Sequence, residues 1–144
     1  MIVHAGLVAT RLDGRWRGAL IEGPSGCGKS DLALRLLDQG FQLAADDRVI
    51  LWTSAGRLFG RAPGPLVGLL EARGLGVLAA RALPFCEVVM VIQPGAPERM
   101  PDPAPCDRLG VTLPSLILPY REASAPAKLS RALTALYVAN QRRM

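Results

Sequence analysis

Aromatic side chains are scarce here: three Phe, two Trp and two Tyr make up 5% of the 144 residues. A core must therefore be assembled from Leu, Val, Ile and Ala. With 50% hydrophobic and 20% charged residues, it can be assembled, and a disordered chain is excluded. No apolar run approaches the roughly 18 residues that a membrane-spanning helix requires. The opening Met1-Ile2-Val3-His4 has no basic segment leading into an apolar one, so no signal peptide is expected. Cys27, Cys86 and Cys106 are odd in number, far apart and form no Cys-x-x-Cys pair, which argues against a structural zinc site. Free thiols without an export signal favour the cytoplasm. Lysine is nearly missing too, with Lys29 and Lys128 among 17 basic residues.

What is present points to an anionic partner. The formal net charge is +5, which suits a nucleotide, a nucleic acid or an acidic protein. The basic residues are scattered rather than gathered in a stripe with interleaved aromatics, so a nucleic-acid role is the weakest of the three. The length fits one domain over residues 1–144, without internal repeats or a linker.

The hydrophobic pattern alternates between strand-like and helix-like pieces. Residues 2–10 and 17–22 read as strands around an Asp13-Gly14 hairpin turn. Residues 29–39 carry Leu32, Leu34, Leu36 and Leu37 at helical spacing, and Gly40 is a natural terminator. Residues 41–45 form a strand ending at Asp46-Asp47, and 49–53 with 57–61 a hairpin around Ser54-Ala55-Gly56. Residues 87–93 give an apolar strand, 94–105 a Pro-rich loop and 109–118 short strand-like pieces. Residues 125–143 form a closing helix with Leu129, Ala132, Leu133, Leu136 and Tyr137 on one face. The fold class is α/β, a mixed sheet with flanking helices.

Gly23-Pro24-Ser25-Gly26-Cys27-Gly28-Lys29-Ser30 fits the phosphate-loop pattern G-x-x-x-x-G-K-[ST], and lies between a strand and a helix as the chemistry needs. Glycines let backbone N–H groups turn toward phosphate oxygens, and the helix adds free N–H groups and its positive end. Lys29 supplies a point charge for the β- and γ-phosphates, and the Ser30 hydroxyl a ligand for Mg²⁺. Cys27 reads first as a small side chain at a tolerant position, although a helix start beside Lys29 is also where thiols are activated.

Asp46-Asp47 follows Lys29 by 17 residues, at the carboxyl end of a strand, where ligands of open α/β sheets bind. One carboxylate can face the metal while the other accepts a proton from an attacking hydroxyl; a solvated turn is the plainer alternative. His4, the one histidine, reads as an ordinary strand residue or as an aid to metal or proton chemistry. In Leu70-Glu71-Ala72-Arg73-Gly74-Leu75-Gly76, Glu71 and Arg73 share one side if extended, and the two glycines suit close backbone approach. A turn with a solvated ion pair explains the same segment.

Taken in order, His4, the loop of residues 23–30, Ala45-Asp46-Asp47-Arg48 and residues 70–76 resemble the catalytic domain of the HPr kinase/phosphorylase family. Arg121 and Ala139-Asn140 add a weaker match in the tail. The resemblance implies a phosphate-loop kinase core similar to phosphoenolpyruvate carboxykinase, standing without the N-terminal domain that relatives carry. It implies an ATP- and Mg²⁺-dependent kinase acting on a serine of an HPr-like phosphocarrier, and phosphorolysis of the phosphoserine product in reverse. Gly23, Pro24, Ser25, Gly26, Cys27, Gly28, Lys29 and Ser30 would bind ATP. Ser30 and Asp46 would hold the metal with His4 nearby, and Asp47 would be the general base. Glu71 and Arg73 would form part of the active-site surface, and Arg121 would serve the phosphorylase direction. A homo-oligomer, a hexamer, is implied as well. The segment at Arg121 reads Arg121-Glu122-Ala123-Ser124-Ala125-Pro126 and differs from the family's Pro-Gly-Arg-Asn run. A regulatory ATP-binding module and a kinase for another acceptor are the competing readings.

Overall fold

The computed structural model describes residues 1–102 and 104–142, with side chains described through residue 135. Strand β1 (Ile2–Leu12) turns at Asp13-Gly14 into β2 (Arg15–Glu22). Both turn residues have positive φ, 54° and 74°, the hand that matches strand twist in a two-residue hairpin. The loop of residues 23–28 leads into α1 (Lys29–Leu37), somewhat shorter than the periodicity suggests, with Gly40 at φ 90° just past its end. Strand β3 (Gln42–Ala45) is followed by β4 (Arg48–Ser54) and β5 (Arg57–Arg61). A small hairpin of β6 (Leu69–Ala72) and β7 (Gly76–Ala79) stands apart from the main sheet. Then come β8 (Cys86–Pro94), a second small hairpin of β9 (Cys106–Arg108) and β10 (Val111–Leu113), β11 (Ser115–Leu118) and α2 (Ala125–Arg142).

The main sheet runs β11-β8-β2-β1-β4-β5, with β3 also paired to β1. β8 is parallel to β2 and β11, and the other pairs are antiparallel, so the sheet is mixed as expected. Its curvature is not expected. β5 pairs back onto β8, with Leu58 opposite Val88 and Gly60 opposite Cys86, so that β8, β2, β1, β4 and β5 close into a ring. Glu87 on β8 pairs with Arg17 of β2 and Arg57 of β5 and ties the seam. This closure depends on contacts between segments about 30 residues apart in sequence, which no local pattern announces.

The ring explains the near-continuous apolar runs, because its central strands are buried on both faces. Leu7, Leu20, Val49, Leu51, Leu58, Val88 and Val91 fill the interior. Val8, Ala19, Ile21, Met90 and Ile92 face outward onto Leu32 and Leu36 of α1 and Leu129 and Leu133 of α2. Burying each such side chain contributes about 1.5–3 kcal/mol. The expected α2 face therefore holds at Leu129, Ala132 and Leu133, while Leu136, Tyr137 and Asn140 lie outside the residues with described side chains.

Two glycines make the ring tight enough to close. A Cβ on Gly60 would stand 2.7 Å from Leu7 Cδ2 and 2.9 Å from Val49 Cγ1, and one on Gly18 would stand 2.8 Å from Cys86 Sγ. Replacing Gly60 by Ala overfills this interior and is expected to cost about 1–3 kcal/mol, read as a lower urea midpoint. A midpoint equal to that of the unaltered chain would show that the ring is looser than these distances imply.

Candidate active site

The glycine-rich loop leaves β2 at Glu22 and closes on itself through Cys27 N–H donating to the Pro24 carbonyl at 3.2 Å. Gly28 caps α1 in the left-handed region at φ 103°, where a side chain would be strained. Lys29 does not point into solvent. Its Nζ donates to the carbonyls of Gly23 (2.7 Å) and Pro24 (3.0 Å), and the residue is only 8% exposed. Three donors and two partners leave one N–H for an anion. Arg121 crosses the loop from the other side and donates to the Gly26 carbonyl. Cys27 turns inward, half-buried against the core, so its side chain fills space beside Gly23 rather than facing the cavity.

Asp46 ends β3 and joins three elements. Its Oδ1 accepts from Ser30 Oγ of α1 at 2.8 Å, and its Oδ2 accepts from the Glu71 backbone N–H of β6 at 3.1 Å. Burial pushes its carboxyl above the ordinary value. The two hydrogen bonds pull it back in part, and the nearby charges of Asp47 and Glu71 raise it further. Ser30 and Asp46 thus place two hard oxygen ligands side by side at a helix start. No cluster of three His, Cys, Asp or Glu occurs among the described residues, so no all-protein metal cage exists there. Two ligands fit Mg²⁺, which keeps several waters and takes phosphate oxygens for the rest.

Asp47 is held differently. Arg48 N–H donates to the Asp46 carbonyl at 2.8 Å, closing a three-residue turn whose central residue, Asp47, has φ 69°. Such a turn is rare and strained. It arises because β1 pairs with β3 at Leu7 and with β4 at His4, and the chain must kink between those two partners. The kink turns the Asp47 side chain outward, 60% exposed, with His4 Nδ1 3.9 Å from one oxygen and Arg48 Nε 3.8 Å from the other.

These residues meet at a cavity of about 320 Å³. Ser25, Gly26, Gly28, Lys29, Ser30 and Asp31 form one wall, and Asp47, Glu71, Arg73 and Arg121 form the other. Gly23, Pro24, Asp46 and His4 do not line it; the Gly23 and Pro24 carbonyls hold Lys29, and Asp46 holds Ser30. Glu71 lies on β6 and Arg73 in the turn that follows it, so strand alternation does not relate them, yet both line the cavity. A Cβ on Gly74 or Gly76 would meet no protein atom within 4 Å, and the two take φ of 90° and 111° in the hairpin turn. Asp31, Arg35 and Tyr120 are the residues that reading of the sequence misses. The Asp31–Arg35 spacing of four is a visible helix pair. Tyr120, whose hydroxyl lies 2.5 Å from the Glu22 carbonyl and 2.9 Å from that of Ile92, leaves no trace beyond its position next to Arg121.

A glycine-rich loop of the phosphate-loop pattern and the Asp46-Asp47 pair thus lie together on a mixed sheet. The family model for the HPr Serine kinase C-terminal domain matches residues 4–90, and the chain belongs to that family. The chain is 47% identical over 66 residues to an HPr kinase/phosphorylase of Clostridium beijerinckii, covering 46% of this chain and 22% of that protein. It is 31% identical over 138 residues to the HPr kinase/phosphorylase of Mycoplasmopsis pulmonis, covering 84% of this chain and 44% of that one. The chain thus spans less than half the length of these curated relatives. Among solved structures it resembles the Hpr(Ser) kinase/phosphatase from Coxiella burnetii, at 27% identity and a TM-score of 0.74, covering 99% of this chain and 96% of that one.

Two outcomes follow from the aspartates. Asp47→Gly relieves the left-handed strain and is expected to raise stability by about 0.5–1 kcal/mol, seen as a higher urea midpoint; a lower midpoint would contradict the strain. For Asp46, a carboxyl raised by burial binds its proton more tightly folded than unfolded. The stability this contributes is full below the ordinary value of 3.8 and is lost as pH rises through the raised one. In metal-free buffer the wild-type chain should therefore gain stability relative to Asp46→Asn as pH falls from about 7 toward about 4. A pH-independent difference would show that Asp46 is not penalised by burial.

Proposed function

We propose that this chain is an ATP-dependent kinase domain that phosphorylates a serine of an HPr-like phosphocarrier protein. The observation that carries the reading is the outward-turned Asp47 carboxylate on the rim of a cavity walled by Lys29, Ser30 and the glycine loop. Phosphoryl transfer needs positioning and charge neutralisation more than covalent help, and these residues supply both. The loop N–H groups and the free Lys29 donor would hold the β- and γ-phosphates. Ser30 and Asp46 would hold Mg²⁺, which when bound neutralises phosphate charge. Asp47 would accept the proton of the acceptor serine hydroxyl as its oxygen takes the γ-phosphoryl group and ADP leaves. His4 and Arg48 flank that carboxylate and would keep it aimed.

The reverse reaction belongs to the same proposal. Inorganic phosphate would attack the phosphoserine phosphorus, the bond from that phosphorus to the serine oxygen would break, and Asp47 would give the departing serine oxygen its proton, leaving pyrophosphate as the product. The phosphate-binding Arg73 and Arg121, both on the cavity wall, favour it. A core of the phosphoenolpyruvate carboxykinase kind and one catalytic domain over residues 1–144 complete the reading, supported by the single mixed sheet beneath the loop. A cytoplasmic setting is supported by three free cysteines. A homo-oligomer, hexameric by family resemblance, is supported by the exposed Val67, Leu75 and Val77 around the Glu71 hairpin. No helix among the described residues is long and apolar enough to cross a membrane.

The test is transfer of label from γ-labelled ATP, with Mg²⁺, to a purified HPr-like protein. Wild type should label a serine, and Asp47→Asn and Lys29→Ala should each lose transfer by about 100-fold or more. Nucleotide binding without transfer would mark a regulatory module, and label on another acceptor would sink the phosphocarrier assignment. Phosphoserine-HPr with inorganic phosphate should release pyrophosphate if the reverse direction operates.

A further inference from the structure

Asp31 and Arg35 lie one turn apart on α1, and Arg35 Nε donates to Asp31 Oδ2 at 3.0 Å. The same guanidinium reaches out of the helix to a distant part of the chain. Nη1 donates to the Glu122 carbonyl at 2.9 Å, and Nη2 donates to the Tyr120 carbonyl. The residue between those carbonyls is Arg121. One side chain, rooted in the helix that opens with Lys29 and Ser30, thus grips the backbone on both sides of Arg121.

Arg121 depends on that grip. It is exposed and sits in a turn closed by Glu122 N–H donating to the Pro119 carbonyl at 3.1 Å. Its guanidinium donates to the Gly26 carbonyl, and its Cγ lies 3.4 Å from where a Cβ of Gly28 would stand. A long, exposed side chain keeps one direction only when the backbone beneath it is fixed. The planar fork of an arginine can span two carbonyls at once, which an ammonium does not do.

We propose that Arg35 is a positioning residue of the phosphate site: by holding the Tyr120 and Glu122 carbonyls it aims Arg121 across the loop at bound phosphate, and Asp31 orients Arg35 for the task. This deepens the kinase reading and rests on the cavity being a nucleotide-phosphate site. A tie that merely fastens α1 to the following loop would support stability and leave the affinity for phosphate alone.

The test measures the dissociation constant of MgATP by calorimetry, with melting temperatures alongside, for wild type, Arg35→Met, Arg35→Lys, Arg121→Ala and the double variant Arg35→Met/Arg121→Ala. Arg121→Ala should weaken binding about tenfold and Arg35→Met about three- to tenfold, as loss of a charged hydrogen-bond donor predicts. The double variant should bind no more weakly than Arg121→Ala alone, because the effect of Arg35 runs through Arg121. Arg35→Lys, reaching one carbonyl, should fall between. Equal weakening by Arg35→Met in both backgrounds would overturn the proposal. So would unchanged affinity with a lowered melting temperature, or no MgATP binding by the wild-type chain. The expected coupling in a chain that does not label the phosphocarrier would support the proposal and remove only the acceptor assignment.

Discussion

Asp46 is a buried carboxylate whose two oxygens are taken by neutral donors, the Ser30 hydroxyl and the Glu71 amide, and the site is assembled around it. A charge shielded from water in this way costs stability, and hydrogen bonds alone return only part of that cost. The cost has a structural product. The start of α1, the end of β3 and the first strand of the outlying hairpin meet at one side chain. Lys29, Asp47 and Glu71 inherit their positions from that meeting. The residual penalty is visible in the raised carboxyl, so the joint that gathers these three elements is held at some cost in stability.

The two aspartates are neighbours in sequence and opposites in circumstance. Asp46 is sunk and satisfied. Asp47 is exposed on a strained turn, with one oxygen near His4 and the other near Arg48. Strain of this kind persists when the surrounding structure over-determines it, and here β1 does so by pairing with β3 and β4 in succession. The loop is also set before substrate arrives, since Lys29 already rests on the Gly23 and Pro24 carbonyls. A loop set in this way would need little further ordering to receive an anion.

Much of this was legible in residue order. The phosphate loop shows because its chemistry needs a fixed spacing of glycines, Lys29 and Ser30. The Asp13-Gly14 and Ala55-Gly56 hairpins show because two-residue turns of that hand need residues that tolerate positive φ. Asp46-Asp47 shows as a pair, although nothing local tells which carboxylate is buried; that is decided by β1 changing partners. The ring closure through β5 and β8 and the arrangement of Arg35, Tyr120 and Arg121 are invisible for the same reason. Each is a contact between residues 26 to 98 positions apart. The glycines of residues 70–76 leave two readings open in the sequence, because a glycine marks a backbone conformation as readily as a close contact.

The closed ring leaves two short hairpins, β6–β7 and β9–β10, outside the main sheet's hydrogen-bond ladder. The first carries Glu71 and Arg73 to the cavity and presents Leu75 and Val77 to solvent. Its tip can change sequence without disturbing a single pairing in the ring. Such a division separates the pairings that fix the glycine loop and the aspartates from a hairpin whose tip carries none of them. The surface at Leu75 and Val77 can therefore be varied, in nature or by grafting, while the ring that carries the glycine loop stays intact.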